Sequence, residues 1–208
     1  MELKDLELKI KQLEEKLTEV HDIQAIEKLQ RAYGYYLDNR LWGQVVDLFS
    51  DNTETLEISD SGVYKGKAGV KRFFLDFLGR GGLPPHPQAL GIHMQLQGVV
   101  SRDPQGDKAK GRWQCIMLLA TPLKPPEVTA MLGHGVYEDE YVKEDNIWKI
   151  KKMRYYLTFR TPLDEGWVKT PVVLSMARGT PDLPSTGYKP YPQGFIAPFH
   201  YKNPVSGK

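Results

Sequence analysis

The sequence predicts an α+β protein, with helices on one face of a curved antiparallel sheet. Two observations carry this. Helical patterning with one short strand fills the chain up to about residue 80, and four long β segments follow between residues 91 and 160. Helices first and a meander afterwards is the order that stacks helices against one side of a sheet. A third segment, residues 161–208, follows neither pattern.

Residues 1–20 carry leucine, isoleucine or valine at 3, 6, 10, 13, 17 and 20. The alternating spacing of three and four is a coiled-coil seam, too narrow to stand without a partner. The register breaks after Val20. Asp22 is expected to cap a second helix whose inner face holds Ile23, Ile26, Leu29, Tyr33 and Leu37. A short helix is expected at about 42–50. "TETLEIS" (53–59) alternates as a strand does. Glycines precede a helix at about 67–78, and Gly79, Gly81 and Gly82 end it before "PPHP".

The β segments are 91–102, 108–122, 129–144 and 147–160, with "DPQGD" and "DN" as turns between the first and last pairs. Eight of the fifteen prolines fall in 161–208, and aromatic residues recur there from Trp167 to Tyr201. This composition suits an irregular arm lying on a surface, its own or a neighbour's. Three parts result: an amphipathic helical extension (1–20), a domain (21–160) and a proline- and aromatic-rich arm (161–208).

Composition narrows the function classes. Apolar residues make up 40% of the chain and charged residues 26%, as in ordinary globular proteins. A formal net charge of +2 gives no reason to expect nucleic acid. The lone cysteine, Cys115, sits in the apolar run "CIMLLA" and is expected to be an inert core residue. The charged N-terminus and the absence of any long apolar run predict no membrane partner and a cytoplasmic location. No HExxH, paired CxxC, nucleophile elbow or phosphate loop occurs. No metal or other cofactor is therefore expected.

One stretch stands out: "AYGYYLDNRLWGQVVDLFSDN" (32–52) is aromatic and aliphatic on one side, yet Asp38 interrupts that side. Two readings are open. Asp38 is either a cap for the next helix through "DNRLW" or a functional carboxylate. The ordered set "Y…LD…W…LF.D", a strand, "G..G" before a helix, a strand opening on His93, and "G.Y.D.Y…..IWKI…R" resembles the nuclear transport factor 2-like superfamily. Within it, the set is most similar to the SnoaL-like branch that includes scytalone dehydratase and the bile acid 7α-dehydratases. The resemblance spans about residues 20–160. It implies a cone-shaped fold, in which a strongly bent sheet wraps a long helix and leaves an apolar pocket.

The resemblance also implies roles. Tyr33, Asp38 and His93 match the catalytic tyrosine, aspartate and histidine. Substrate contacts are expected from Tyr36, Arg112, Trp113, Gln114 and Tyr137; Arg112 and Gln114 are the only polar residues where a second catalytic group falls in those enzymes. The tail "PFHYKNPVSGK" is similar to tails of cofactor-independent diarylpropane lyases, which release formaldehyde from lignin-derived diols. A His–Asp pair and a tyrosine hydroxyl in an apolar pocket suit elimination, because one group takes a proton while another assists the leaving oxygen. The expected function is a cofactor-independent lyase acting on a hydrophobic, phenolic substrate with loss of water or formaldehyde. The alternatives are an isomerase or polyketide cyclase, or a non-catalytic binding or assembly module. The seam and the tail predict a homo-oligomer, and the resemblance favours a trimer. His134 either lines the pocket or faces water. His21, His86 and His200 show no partner in the sequence.

Overall fold

The computed structural model describes residues 3–81, 89–124, 127–173 and 175–208. Gly82 and the "PPHP" stop, with His86, lie outside the described residues. Helix α1 (Leu3–Asp38) leads to α2 (Trp42–Asp47), β1 (Thr55–Ile58), β2 (Tyr64–Lys65) and α3 (Gly66–Lys71). The last of these runs on as a π-helical segment, Arg72–Leu78, and a 3-10 turn, Gly79–Gly81. Strands β3 (Leu90–Arg102), β4 (Lys108–Lys124), β5 (Glu127–Glu144) and β6 (Ile147–Pro162) follow, then a one-turn helix α4 (Gly166–Lys169).

The six strands form one curved, unclosed sheet in the order β2-β1-β6-β5-β4-β3. Neighbours are antiparallel except β1 and β6, which run parallel. The second half of α1 packs along β3. Gly34 permits that close approach: a Cβ there would stand 3.0 Å from the His93 carbonyl oxygen. The α+β class and the sheet-around-helix architecture are as expected from the sequence.

The expected break in α1 does not occur. Asp22 caps nothing. It is 4% exposed and sits inside the helix. Its carboxylate accepts from Lys143 Nζ and Trp148 Nε1 at 2.8 Å each and pairs with Arg102 Nε at 2.8 Å. Side chains from three strands surround the carboxylate, with two hydrogen bonds to Oδ1 and the Arg102 ion pair at Oδ2. No glycine or proline near residue 20 stops the helix from running through.

Strand alternation fixes the two faces of the sheet. On β4, Trp113, Cys115 and Met117 are buried inward, while Arg112, Gln114, Ile116 and Leu118 point outward with intermediate exposure. The core they join is strongly aromatic, with Tyr33, Phe49, Tyr64, Phe73, Phe74, Tyr137, Tyr141 and Tyr155 all buried. Burying such rings contributes about 1.5–3 kcal/mol each before entropy is subtracted.

The C-terminal arm lies on its own chain. It bridges Val63 at Leu183 and Arg160 at Val172. The Tyr188 hydroxyl accepts from the Leu157 amide at 2.6 Å. Ser185 and Thr186 donate to the Glu57 carboxylate at 2.7–2.8 Å. Each contact ties polar groups of an otherwise irregular segment to the sheet.

Candidate active site

Helix α1 ends at Asp38, and β3 starts at Leu90, so Gly91-Ile92-His93 lies at the same end of the cone. Asp38 Oδ1 and His93 Nδ1 meet at 2.8 Å, across 55 residues of sequence. The capping reading of Asp38 does not hold: α2 begins after Leu41 without any side-chain cap. A carboxylate only accepts hydrogen bonds, so Nδ1 carries a proton, and in the neutral imidazole Nε2 keeps its lone pair.

This pair borders a cavity of about 250 Å³. Tyr33 and Asp38 come from α1, Trp42 from α2, Phe73, Phe74 and Leu78 from the segment after α3, and His93 from β3. The sheet supplies Met117 and Leu119 from β4, Tyr137 from β5, and Tyr155, Leu157 and Arg160 from β6. Met176 of the arm completes one wall. The lining is therefore largely apolar and aromatic, with a His–Asp pair and guanidinium groups as its charged features.

Three tyrosines form the floor. Tyr33 stands edge-on to Tyr137 at 5.8 Å, and Tyr137 meets Tyr155 at 4.5 Å between ring centroids. Burial pushes all three phenols above their ordinary range, so they are neutral O–H donors at any working pH. Gly135 makes room for the cluster: a Cβ there would come within 2.3 Å of the Tyr155 ring. Burial also pushes the Cys115 thiol up to about 12.

Of the residues singled out from the sequence, Tyr33, Asp38, His93 and Tyr137 border this cavity together. Four others do not. Tyr36 packs half-buried against the core without bordering it. Trp113 points inward but lies beyond the cavity. Its Nε1 donates to the Tyr141 hydroxyl at 2.9 Å, which donates to Gln30 Oε1 at 2.8 Å. Arg112 and Gln114 are on the outer face because they alternate with Trp113 and Cys115. Arg112 pairs with Glu138, donates to the Pro198 carbonyl at 3.0 Å and lies 3.9 Å over the Phe199 ring. It holds the arm rather than a ligand. On β4 the inward position opposite His93 is Met117, an apolar side chain.

His134 does not border the cavity either. It hydrogen-bonds Thr158 Oγ1 at 3.0 Å and stacks on Phe159, and burial lowers its pKa. His21 is exposed. His200 does have a partner, Glu138 Oε2 at 2.9 Å.

The residue that sequence reasoning missed is Arg160. Simple alternation along β6 places Phe159 inward and Arg160 outward. The register shifts between the pairs His134/Phe159 and Gly135/Leu157, and this bulge at Thr158 reverses the faces. Arg160 is 8% exposed, and burial lowers its pKa; a guanidinium remains charged at neutral pH even so. Among the described residues no group of three or more His, Cys, Asp or Glu is placed to hold a metal ion, and no helix is long and apolar enough to cross a membrane.

Comparison with solved structures gives the same fold. A putative scytalone dehydratase from Novosphingobium aromaticivorans superposes with a TM-score of 0.59 at 19% identity, covering 77% of this chain and 99% of that one. A hexachlorocyclohexane dehydrochlorinase, LinA-type3 from Novosphingobium barchaimii, gives 0.57 at 22% identity, over 71% and 94%. A nuclear transport factor 2-like protein with a cystatin-like fold, also from Novosphingobium aromaticivorans, gives 0.51 at 15% identity, over 81% and 94%. Residues 18–154 match the SnoaL-like domain. On that match, which runs from the middle of α1 to the middle of β6 and takes in Tyr33, Asp38, His93 and Tyr137, the chain belongs to the SnoaL-like domain family.

Proposed function

We propose that this protein is a cofactor-independent lyase that eliminates water, or water and formaldehyde, from a hydrophobic phenolic substrate. The observation that carries the reading is the 2.8 Å Asp38–His93 pair on the wall of an aromatic cavity. Two of the similar folds bear names that describe eliminations, dehydratase and dehydrochlorinase, in keeping with this reading.

Asp38 holds the His93 tautomer and stabilises the imidazolium that forms when Nε2 takes a proton. In the simple elimination, Nε2 takes a proton from carbon, the C–H electrons form the double bond, and the hydroxyl on the adjacent carbon leaves as water. The leaving oxygen receives its proton from a buried phenol, a role assigned to Tyr33 on the floor of the same cavity. With a para-hydroxyphenyl diol, ionisation of the phenol and departure of the benzylic hydroxyl give a quinone methide. Deprotonation of the neighbouring CH₂OH oxygen then breaks the carbon–carbon bond. Those electrons restore the ring, and the products are an alkene, water and formaldehyde. Arg160 places a positive charge beside the cavity, where the phenolate of the diol path is stabilised.

A neutral-phenol floor supports aromatic specificity, since edge-on ring contacts add about 0.5–1.5 kcal/mol beyond area burial. The test is incubation with hydroxylated aromatic dimers, following alkene absorbance and released formaldehyde in parallel. Turnover with both products supports deformylation; alkene alone supports dehydration. Tight binding without either product overturns the lyase reading in favour of a binding module.

A further inference from the structure

The first half of α1 extends away from the domain. Leu3, Leu6, Ile10, Leu13, Leu17 and Val20 are between 38% and 73% exposed. Buried residues of the helix begin only at Asp22. The side of the helix that faces the turn between β3 and β4 across a cleft carries polar residues between Lys11 and Glu19, the flanking Glu14 and Lys16 among them, and none of the six apolar seam residues. The apolar seam is therefore turned away from its own body.

The charges beside the seam choose between partners. With Leu3, Ile10 and Leu17 at position a and Leu6, Leu13 and Val20 at d, Glu7 and Glu14 fall at e, and Lys9 and Lys16 at g. In an antiparallel pair, e faces e and g faces g, so glutamate would meet glutamate and lysine would meet lysine. In a parallel pair, each g residue faces the e residue five positions later on the other helix. Lys9 then meets Glu14, once on each side of the seam.

We infer that residues 3–20 form a parallel, in-register coiled coil with the same segment of a second copy of this chain. Two and a half heptads are too few to assemble as free peptides. Here the helix is already set by continuity with the packed half of α1, a single helix of 36 residues. The nucleation cost is thus met by folding of the domain, and association need only bury the seam. The inference concerns a surface remote from the cavity and does not depend on the proposed reaction.

The test uses the full chain with Leu13→Cys, a substitution at an exposed seam position. The only native cysteine, Cys115, is fully buried, so wild-type protein serves as the background. Mild oxidation is expected to link two copies covalently through position 13. Sedimentation of wild-type protein is expected to give a mass that is a multiple of 23.7 kDa. Lys9→Glu is expected to weaken association about tenfold, and Lys9→Glu combined with Glu14→Lys to restore it. A single-chain mass at micromolar concentration overturns the inference. So does an assembled Leu13→Cys protein that fails to cross-link, or an assembly indifferent to the charge reversal, because copies would then meet through another surface.

Discussion

Two histidine–carboxylate pairs of nearly equal geometry occupy opposite faces of one sheet. His93 and Asp38 meet at 2.8 Å on the inner side, where both side chains are about one-fifth exposed and border the aromatic cavity. His200 and Glu138 meet at 2.9 Å on the outer side, under the C-terminal arm, where the imidazole is 5% exposed. Glu138 also holds Arg112, and Arg112 holds the arm through carbonyl and ring contacts. The two pairs share their bond and differ in what lies beyond it. One imidazole borders a largely apolar and aromatic cavity; the other packs against Tyr201, 5.0 Å away between centroids, and borders only clefts on the outer face whose lining is rich in charged residues such as Lys110 and Glu140. A His–carboxylate contact is therefore no sign of catalysis by itself. The aromatic lining of the space beside His93 is what sets the two pairs apart.

Mutations can break or sharpen that contrast. The largest effect is expected for His93→Ala, which should cut turnover on the order of 10²–10⁴-fold, the usual range for a general base, with little change in thermal stability. Tyr33→Phe removes one hydroxyl from the floor and keeps the ring; turnover is expected to fall roughly 10–10³-fold, as for loss of one donor to a developing oxyanion. His200→Ala should behave in the opposite way. Steady-state kinetics should stay within about twofold of wild type, while the melting temperature falls by about 4–8 °C through loss of a charge-assisted bond. A large kinetic loss in His200→Ala, read with no change in melting temperature, would reverse the assignment of the two pairs. The smallest effect concerns Cys115. Its thiol is buried, and burial pushes its pKa up to about 12, so labelling by a thiol reagent at neutral pH should be negligible in the native protein and rapid after denaturation.

How much of this was legible in the sequence depends on what kind of signal each feature leaves. The long strands announce themselves by alternation and turns, and their ends fall within a few residues of expectation. Asp38 stood out because a carboxylate on an apolar helix face demands a partner, and His93 only through the resemblance, which has a histidine opening this strand. Arg112 and Gln114 were misjudged although the needed signal was present. In "RWQCIML" the polar residues alternate with Trp113 and Cys115, and a buried cysteine places the polar pair on the other face. Arg160 was not legible, because a single extra residue at the Thr158 bulge inverts the pattern, and composition alone does not announce a bulge. Met176 left no signal either: it reaches the cavity through arm contacts that join distant parts of the chain, such as its amide on Asp60 at 2.8 Å. The unbroken α1 was missed because Asp22 looked like a cap, and only the tertiary structure brings Lys143, Trp148 and Arg102 to it.

In the proposed reaction the Asp38 carboxylate serves the His93 imidazole and not a helix end. The most direct test of that role is Asp38→Asn, with turnover and melting temperature measured on the same preparation. Asparagine keeps the size of the side chain and can still accept at Oδ1, but it removes the charge that orients and polarises the ring. A melting temperature within about 3 °C of wild type is expected, with turnover reduced on the order of 10²–10⁴-fold and Asp38→Asn combined with His93→Ala little worse than either change alone. Wild-type turnover in Asp38→Asn at an unchanged melting temperature would contradict that role.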